Sequence, residues 1–237
     1  MAHESFTPQH RIIGRAAAWA AFGFGVVYAV VTALGFLSLQ SPQDPIGDPF
    51  FTLMEILLIL TVPLMLVSMV AVHAYAAPAD KVYSLTALIF MLLLTGITSS
   101  VHFVILTVGR QLAASGLPLV PLLLSWQWPS VAYTLDILAW DWFFALAMLF
   151  AAPVFKVGRL EKTLRLLMLV SGAVSLAGLI GVPLANMQVR DIGIIGYGVV
   201  APLVFLLLGI VFGRVQHTPS ATEKFSNHVV GRRHDDR

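Results

Sequence analysis

Four ionisable side chains sit where such groups are expensive. Glu55, His102, Asp136 and Asp141 all lie inside long apolar stretches of the chain. A charge at the centre of a bilayer costs about 2.5–3.5 kcal/mol on insertion scales, so three acids and a histidine there are expected to pair, to reach water or to work. The chemistry they could do is proton transfer. A carboxyl group in apolar surroundings can hold its proton at neutral pH and deliver it, and a neighbouring imidazole or second carboxylate can take one back. Glu55, His102 and Asp136 are therefore the candidate catalytic residues.

Helical spacing gives these residues company. Thr95, Thr98, Ser99 and His102 stand at i, i+3, i+4 and i+7, a single polar stripe if the segment is helical. Tyr133, Asp136 and Trp140 stand at i, i+3 and i+7. Ser99, Tyr133, Trp140 and Asp141 are accordingly expected to line a ligand site, with aromatic faces able to stabilise positive charge. Asp141 is five positions from Asp136, which in a regular α-helix turns it about 140° away. On that geometry the two acids do not share a partner easily. Each residue also has a plainer reading. Glu55 could pair with Arg110 or Arg190, His102 and Asp141 could hydrogen-bond neighbouring helices, and the segment from Asn186 to Asp191 reads as a helix-end cap and turn.

The elements that must position these groups are six apolar stretches, near 16–37, 50–74, 83–107, 130–153, 164–185 and 193–213. Hydrophobic residues make up 58% of the chain and charged residues 11%, against about 45–50% and about 25% in ordinary soluble domains. Each stretch has the roughly 20 residues that a helix needs to cross about 30 Å of hydrocarbon. Backbone polar groups must be satisfied within lipid, so the spans are expected to be helices, and the stretches lack the alternation of a β-barrel. The fold class read here is all-α, a polytopic bundle of six transmembrane helices. Residues 1–15 form a polar N-terminal segment, 16–213 the membrane domain and 214–237 a polar, charged tail expected to be disordered.

Placing the connections alternately on two sides puts twelve of the fourteen Lys and Arg residues on one side, with only Arg110 and Arg190 on the other. By the positive-inside rule both termini are expected in the cytoplasm of a prokaryotic inner-membrane protein. Glu55 then lies about five residues from the outer end of its span, roughly 8 Å deep, and His102 and Asp136 fall at the same level. Asp141 is deeper. Between the third and fourth spans, Leu117 to Trp128 is apolar but too short to cross. Its two prolines and its Trp126-Gln127-Trp128 run predict an interfacial or re-entrant segment that could cover the polar group.

The chain has no cysteine, which excludes disulfides and thiolate metal sites. No metal or other cofactor is expected, and no lysine lies inside a span to carry a retinal Schiff base. The basic residues flank span ends, so anionic headgroups explain them better than nucleic acid does. Membrane lipids and a hydrophobic small molecule are the expected partners. Glycine-rich fifth and sixth spans could also pack against another copy or another subunit. The function expected is binding or acid–base processing of a lipid-like molecule in an outward-facing polar pocket, with isomerase- or cyclase-type chemistry as one form. A proton-coupled transporter and an accessory subunit without chemistry are the alternatives. The inner half offers few polar groups for a transport path.

Overall fold

The structure, a computed structural model, describes residues 6–41, 44–114 and 116–214. It is helical throughout these residues, with no strand among them. Six helices are long and apolar enough to cross a membrane: α1 (Pro8–Leu37), α2 (Phe50–Tyr75), α3 (Pro78–Leu112), α5 (Val131–Val154), α6 (Gly158–Gly181) and α7 (Met187–Arg214). A five-residue helix, α4 (Val120–Leu124), lies between α3 and α5. The fold is that of a multi-pass membrane protein.

Each long helix packs on its neighbour in sequence, and α7 returns to α1, so the six close into a ring. The short connections at 76–77, 155–157 and 182–186 leave adjacent helices little choice but to pack side by side. One end of the ring carries Arg11, Lys81 and Lys156 and is called the basic end. The other carries Asp48, Trp126 and Asn186 and is called the tryptophan end. The main core lies between mid-bundle and the basic end, where Met65, Met69, Met91, Phe144, Met148 and Met168 pack in one cluster. Flexible methionine and flat phenylalanine side chains fill the uneven space inside a ring of helices.

The first helix begins earlier than composition suggests. Pro8 occupies its first turn, and Thr7 caps it by accepting the backbone N–H of His10, whose Nδ1 in turn accepts the Thr7 N–H. This reciprocal cap satisfies two N–H groups at once. It holds Phe6 buried against Tyr75 and Phe212. Tyr75 also stacks on Phe155 and donates to Glu161 at 2.6 Å. Lys156 binds the buried Asp80 at 2.7 Å, so these contacts close the basic end. The tail beyond Arg214 lies outside the described residues.

Three spans contain π-helical turns: Ile105–Gly109 in α3, Leu138–Phe144 in α5 and Ile195–Val200 in α7. Such turns make i→i+5 hydrogen bonds and re-aim the side chains around them. All three lie toward the tryptophan end, around the ionisable residues.

Candidate functional site: a carboxylate, histidine and arginine relay

Glu55 on α2, His102 on α3 and Asp136 on α5 converge. His102 Nδ1 lies 2.8 Å from Glu55 Oε2, and Nε2 lies 3.5 Å from Asp136 Oδ1. Glu55 and His102 are buried, while Asp136 retains 16% exposure. The other Glu55 oxygen accepts from Trp126 Nε1 at 2.9 Å. The Trp126 ring lies over the imidazole with centroids 4.9 Å apart. The tryptophan-rich segment is thus fastened to the acid–histidine pair by one hydrogen bond and one ring contact. Ser130 fixes the approach to α5, capping that helix by accepting from Tyr133 N–H at 3.1 Å and donating to Ser125 O at 2.5 Å.

The group extends further than spacing along the sequence indicates. Arg190 at the start of α7 is 3% exposed, and its Nη2 donates to Asp141 Oδ2 at 3.0 Å while lying 4.0 Å from Asp136 Oδ2. Its Nη1 donates to the Tyr133 hydroxyl at 3.3 Å, and the guanidinium lies 5.1 Å from the Tyr133 ring. Trp126, Glu55, His102, Asp136, Arg190 and Asp141 therefore form one line across α2, α3, α5 and α7. Reading residues 186–191 as a cap was right for Asn186, which accepts the Val189 N–H at 3.2 Å. It missed Arg190, which turns inward instead of ending the helix.

Asp136 and Asp141 share Arg190, contrary to the regular-helix expectation. The cause is the π-helical stretch Leu138–Phe144. Its i→i+5 hydrogen bonds widen the turn and bring residues five apart toward one face, where an α-helix would separate them. No hydrophobic periodicity announces a π turn, so the sequence carried no signal for it.

Glycines set the deep end of the line. A Cβ on Gly193 would collide with Asp141 Oδ1, and one on Gly178 would lie 2.8 Å from that same oxygen. The carboxylate is thus seated between α6 and α7 where only glycine leaves room. Gly196 plays a similar part, with its carbonyl accepting from Ser171 at 2.8 Å. The glycines of α6 and α7 that were candidates for contact with another chain include these, which are occupied within this one.

The remaining expected residues divide. Trp140 is buried beside Phe144 and Tyr197, with ring centroids 5.8 and 5.2 Å away, and so packs behind the charged line. Tyr133 touches Arg190. Asp141 is fully buried. Ser99 is half-buried, and no hydrogen bond ties it to the relay; Thr95 on the same stripe donates instead to Met91 O and Val62 O. Val62 precedes Pro63, the proline inside α2. A shallow groove of about 470 Å³, lined by Leu92, Gly96, Ile97, Ser100, Val101 and Leu135, runs along the outside of α3 and α5. It is separate from the relay.

At the rim of the same end, Asp48 binds Arg110 at 2.8 Å and accepts from the Thr52 N–H and hydroxyl. Arg110 also donates to Thr52 Oγ1. Pro49 takes the N-cap position of α2, and Asp48, one residue before it, reaches the Thr52 N–H from there. The Thr52 hydroxyl, and then Arg110, hold the Asp48 carboxyl below its ordinary pKa. Arg110 is thereby engaged away from Glu55.

Fold and site together define a multi-pass membrane protein with a buried cluster of acidic, histidine and arginine side chains. Comparison with protein-family models, with curated proteins and with solved structures gave no match to this chain.

Proposed function

We propose that this chain is an inner-membrane protein with both ends in the cytoplasm, and that the relay binds and protonates a hydrophobic, lipid-like molecule entering from the outer side. The observation that carries this reading is the position of His102. Each of its ring nitrogens faces a carboxylate from a different helix, and one of those carboxylates, Asp136, keeps an open edge.

That arrangement suits an acid–base cycle. Asp136 meets the ligand and gives or takes the proton. His102 exchanges protons with Asp136 through Nε2. Glu55 stabilises the imidazolium through Nδ1 and fixes the ring's orientation. Arg190, held by Asp141, sets the field at the far side of Asp136. Tyr133 and Trp140 supply aromatic surface, and the Trp126–Trp128 segment acts as a lid hinged on Glu55. The charge asymmetry of the loops supports this orientation, because the Trp126–Trp128 segment falls on the side poor in Lys and Arg.

The test is retention of a ligand. The protein extracted with its surrounding lipid and analysed by mass spectrometry is expected to carry an apolar small molecule. His102→Gln is expected to reduce its occupancy about tenfold, a loss of about 1.4 kcal/mol in binding. Equal lipid content in the two proteins, with no specific species enriched over bulk lipid, would overturn the reading.

A further inference from the structure

The basic end of the bundle holds cations that its acids do not answer. Among the described residues the acids there are Asp80 and Glu161. Asp80 is buried and accepts from Lys156 Nζ through both oxygens, at 2.7 and 2.8 Å. Glu161 accepts from the Tyr75 hydroxyl at 2.6 Å and from the Lys156 and Val157 N–H groups at 2.9 Å each. Both acids are thus engaged in shaping the turn between α5 and α6. Arg159, Lys162 and Arg165, on the first turns of α6, are exposed, and among the described residues none of the three has an ion-pair partner. Nor is the tail anionic in composition, since residues 215–237 carry four Lys or Arg and three acids.

These cations do not serve the helix that carries them. They stand toward its N-terminal end, where the dipole is positive and favours acids over bases. Retention of basic loops accounts for the side of the membrane they occupy. It asks nothing of how they are arranged around one helix.

That arrangement is the second observation. At 3.6 residues per turn, Arg159, Lys162, Leu166, Leu169 and Val170 fall within an arc of about 100°. Leu166 is 59% exposed, and Leu169 and Val170 are 37% and 39% exposed. The opposite face holds Leu164, Met168, Ser171 and Ser175, all buried in the bundle. Arg165 lies at the edge of the exposed arc, on the side where Gly172 meets Leu149 of α5. From Arg159 to Arg165 the helix rises about 9 Å, a distance that long basic side chains can close by bending toward one group. The surface of α6 therefore presents a cluster of cations continuing directly into an apolar strip that faces the hydrocarbon.

We propose that this face of α6 is a binding site for an anionic phospholipid, whose phosphate lies among Arg159, Lys162 and Arg165 while its acyl chains run along Leu166, Leu169 and Val170. The site is at the opposite end of the bundle from the relay and does not depend on the ligand proposed there. Guanidinium groups donate paired, charge-assisted hydrogen bonds to phosphate oxygens, and lysine adds a point charge. Basic residues at a span end attract anionic lipid in just this setting. A zwitterionic lipid would bring its own ammonium against three cations. A free phosphate would leave the apolar strip unused.

The test compares dioleoyl phosphatidylglycerol with dioleoyl phosphatidylcholine, which share their chains and differ in net charge. Binding to the whole chain is measured in micelles of an uncharged detergent at neutral pH by ligand-dependent thermal shift. Wild type is expected to bind the anionic lipid at least about tenfold more tightly. Arg159→Gln, Lys162→Gln and Arg165→Gln are each expected to weaken the anionic lipid about fivefold and to leave the zwitterionic one unchanged. Lys162→Arg is expected to keep the preference. Removing two cations elsewhere, with Arg232→Gln and Arg233→Gln together, is also expected to keep it. Equal affinity for the two lipids in wild type overturns the proposal. A loss from the tail pair as large as that from the α6 variants overturns it too, because overall charge and not this face would then be responsible. Glycerol 1-phosphate is the probe for the soluble alternative: stabilisation by it equal to that by the lipid would reassign the cations to a free phosphate. The variants change exposed side chains, so their melting temperatures without lipid are expected to match wild type.

Discussion

The guanidinium of Arg190 donates to the carboxylate of Asp141 at 3.0 Å, joining α7 to α5 where neither side chain has appreciable exposure. Charges taken out of water repay their desolvation only when geometry and further hydrogen bonds are good. Arg190 meets that condition in part, with a hydrogen bond to Tyr133 and the Asp136 carboxylate 4.0 Å away, partners that a shorter or non-planar cation could not reach together. Arg190→Lys is therefore expected to behave as a loss. Removing one partner of a buried pair costs about 3–5 kcal/mol, and Arg190→Met should show a loss of that order in denaturant unfolding in micelles. The double variant Arg190→Met with Asp141→Leu should recover much of it. A double variant no more stable than the single one would show that the pair does not act as a unit.

The Glu55–His102 pair predicts a similar asymmetry. His102→Ala leaves Glu55 and Asp136 without the imidazole between them, and stability is expected to fall by about 3–5 kcal/mol. Glu55→Gln should cost less, because its amide oxygen still accepts from Trp126. Tryptophan emission gives a separate readout: His102→Ala should shift it as the Trp126 indole loses its ring contact, while Glu55→Gln, which keeps an acceptor for the indole N–H, should leave it nearly unchanged. An unchanged spectrum in His102→Ala would count against the ring contact.

Glycines near the relay are expected to divide by position. Gly193→Ala places a methyl group on Asp141 Oδ1 and should destabilise by roughly 1–3 kcal/mol, the usual range for overpacking. At Gly96 and Gly23 a Cβ meets nothing within 4 Å. Alanine there should be neutral or slightly stabilising, since it is the better helix former. Thermal unfolding of the three variants side by side checks this, and similar losses at all three positions would refute it.

The Asp48–Thr52–Arg110 contact should depend on pH in a known direction. Asp48 is held below its ordinary pKa by the Thr52 hydroxyl and by Arg110. A depressed carboxylate pKa contributes stability that is fully present above the unfolded value, about 3.9, and fades as pH falls through the lower folded value. The melting temperatures of wild type and Asp48→Asn are therefore expected to differ by a constant, small amount from neutral pH down to that value. Below it they should converge. The difference is small because both side chains are largely solvated. A gap that widens on acidification would contradict the assignment.

Orientation can be read directly because the chain has no cysteine. Gln127→Cys should react with a membrane-impermeant thiol reagent in intact cells, and Val157→Cys only after lysis. The reverse pattern would invert the proposed topology and place the tryptophan lid in the cytoplasm.

Composition and periodicity were enough to read six spans, their approximate limits and the polar residues within them. Hydrocarbon leaves the backbone no alternative to helices, and a charged residue inside an apolar run stands out. The stripe ending at His102 and the level shared by Glu55, His102 and Asp136 follow from constant helical rise, and the structure brings those three together. Other features depend on the assembled ring. Helical rise places Arg190 at a helix end without showing that it turns inward, because that depends on Asp141 waiting across α5 and on glycines that let α6 and α7 close around it. The sharing of Arg190 by two acids depends on a π turn, whose wider winding leaves no mark in the pattern of apolar residues. Sequence shows which groups must be sheltered from lipid; contacts between distant helices decide which group shelters which.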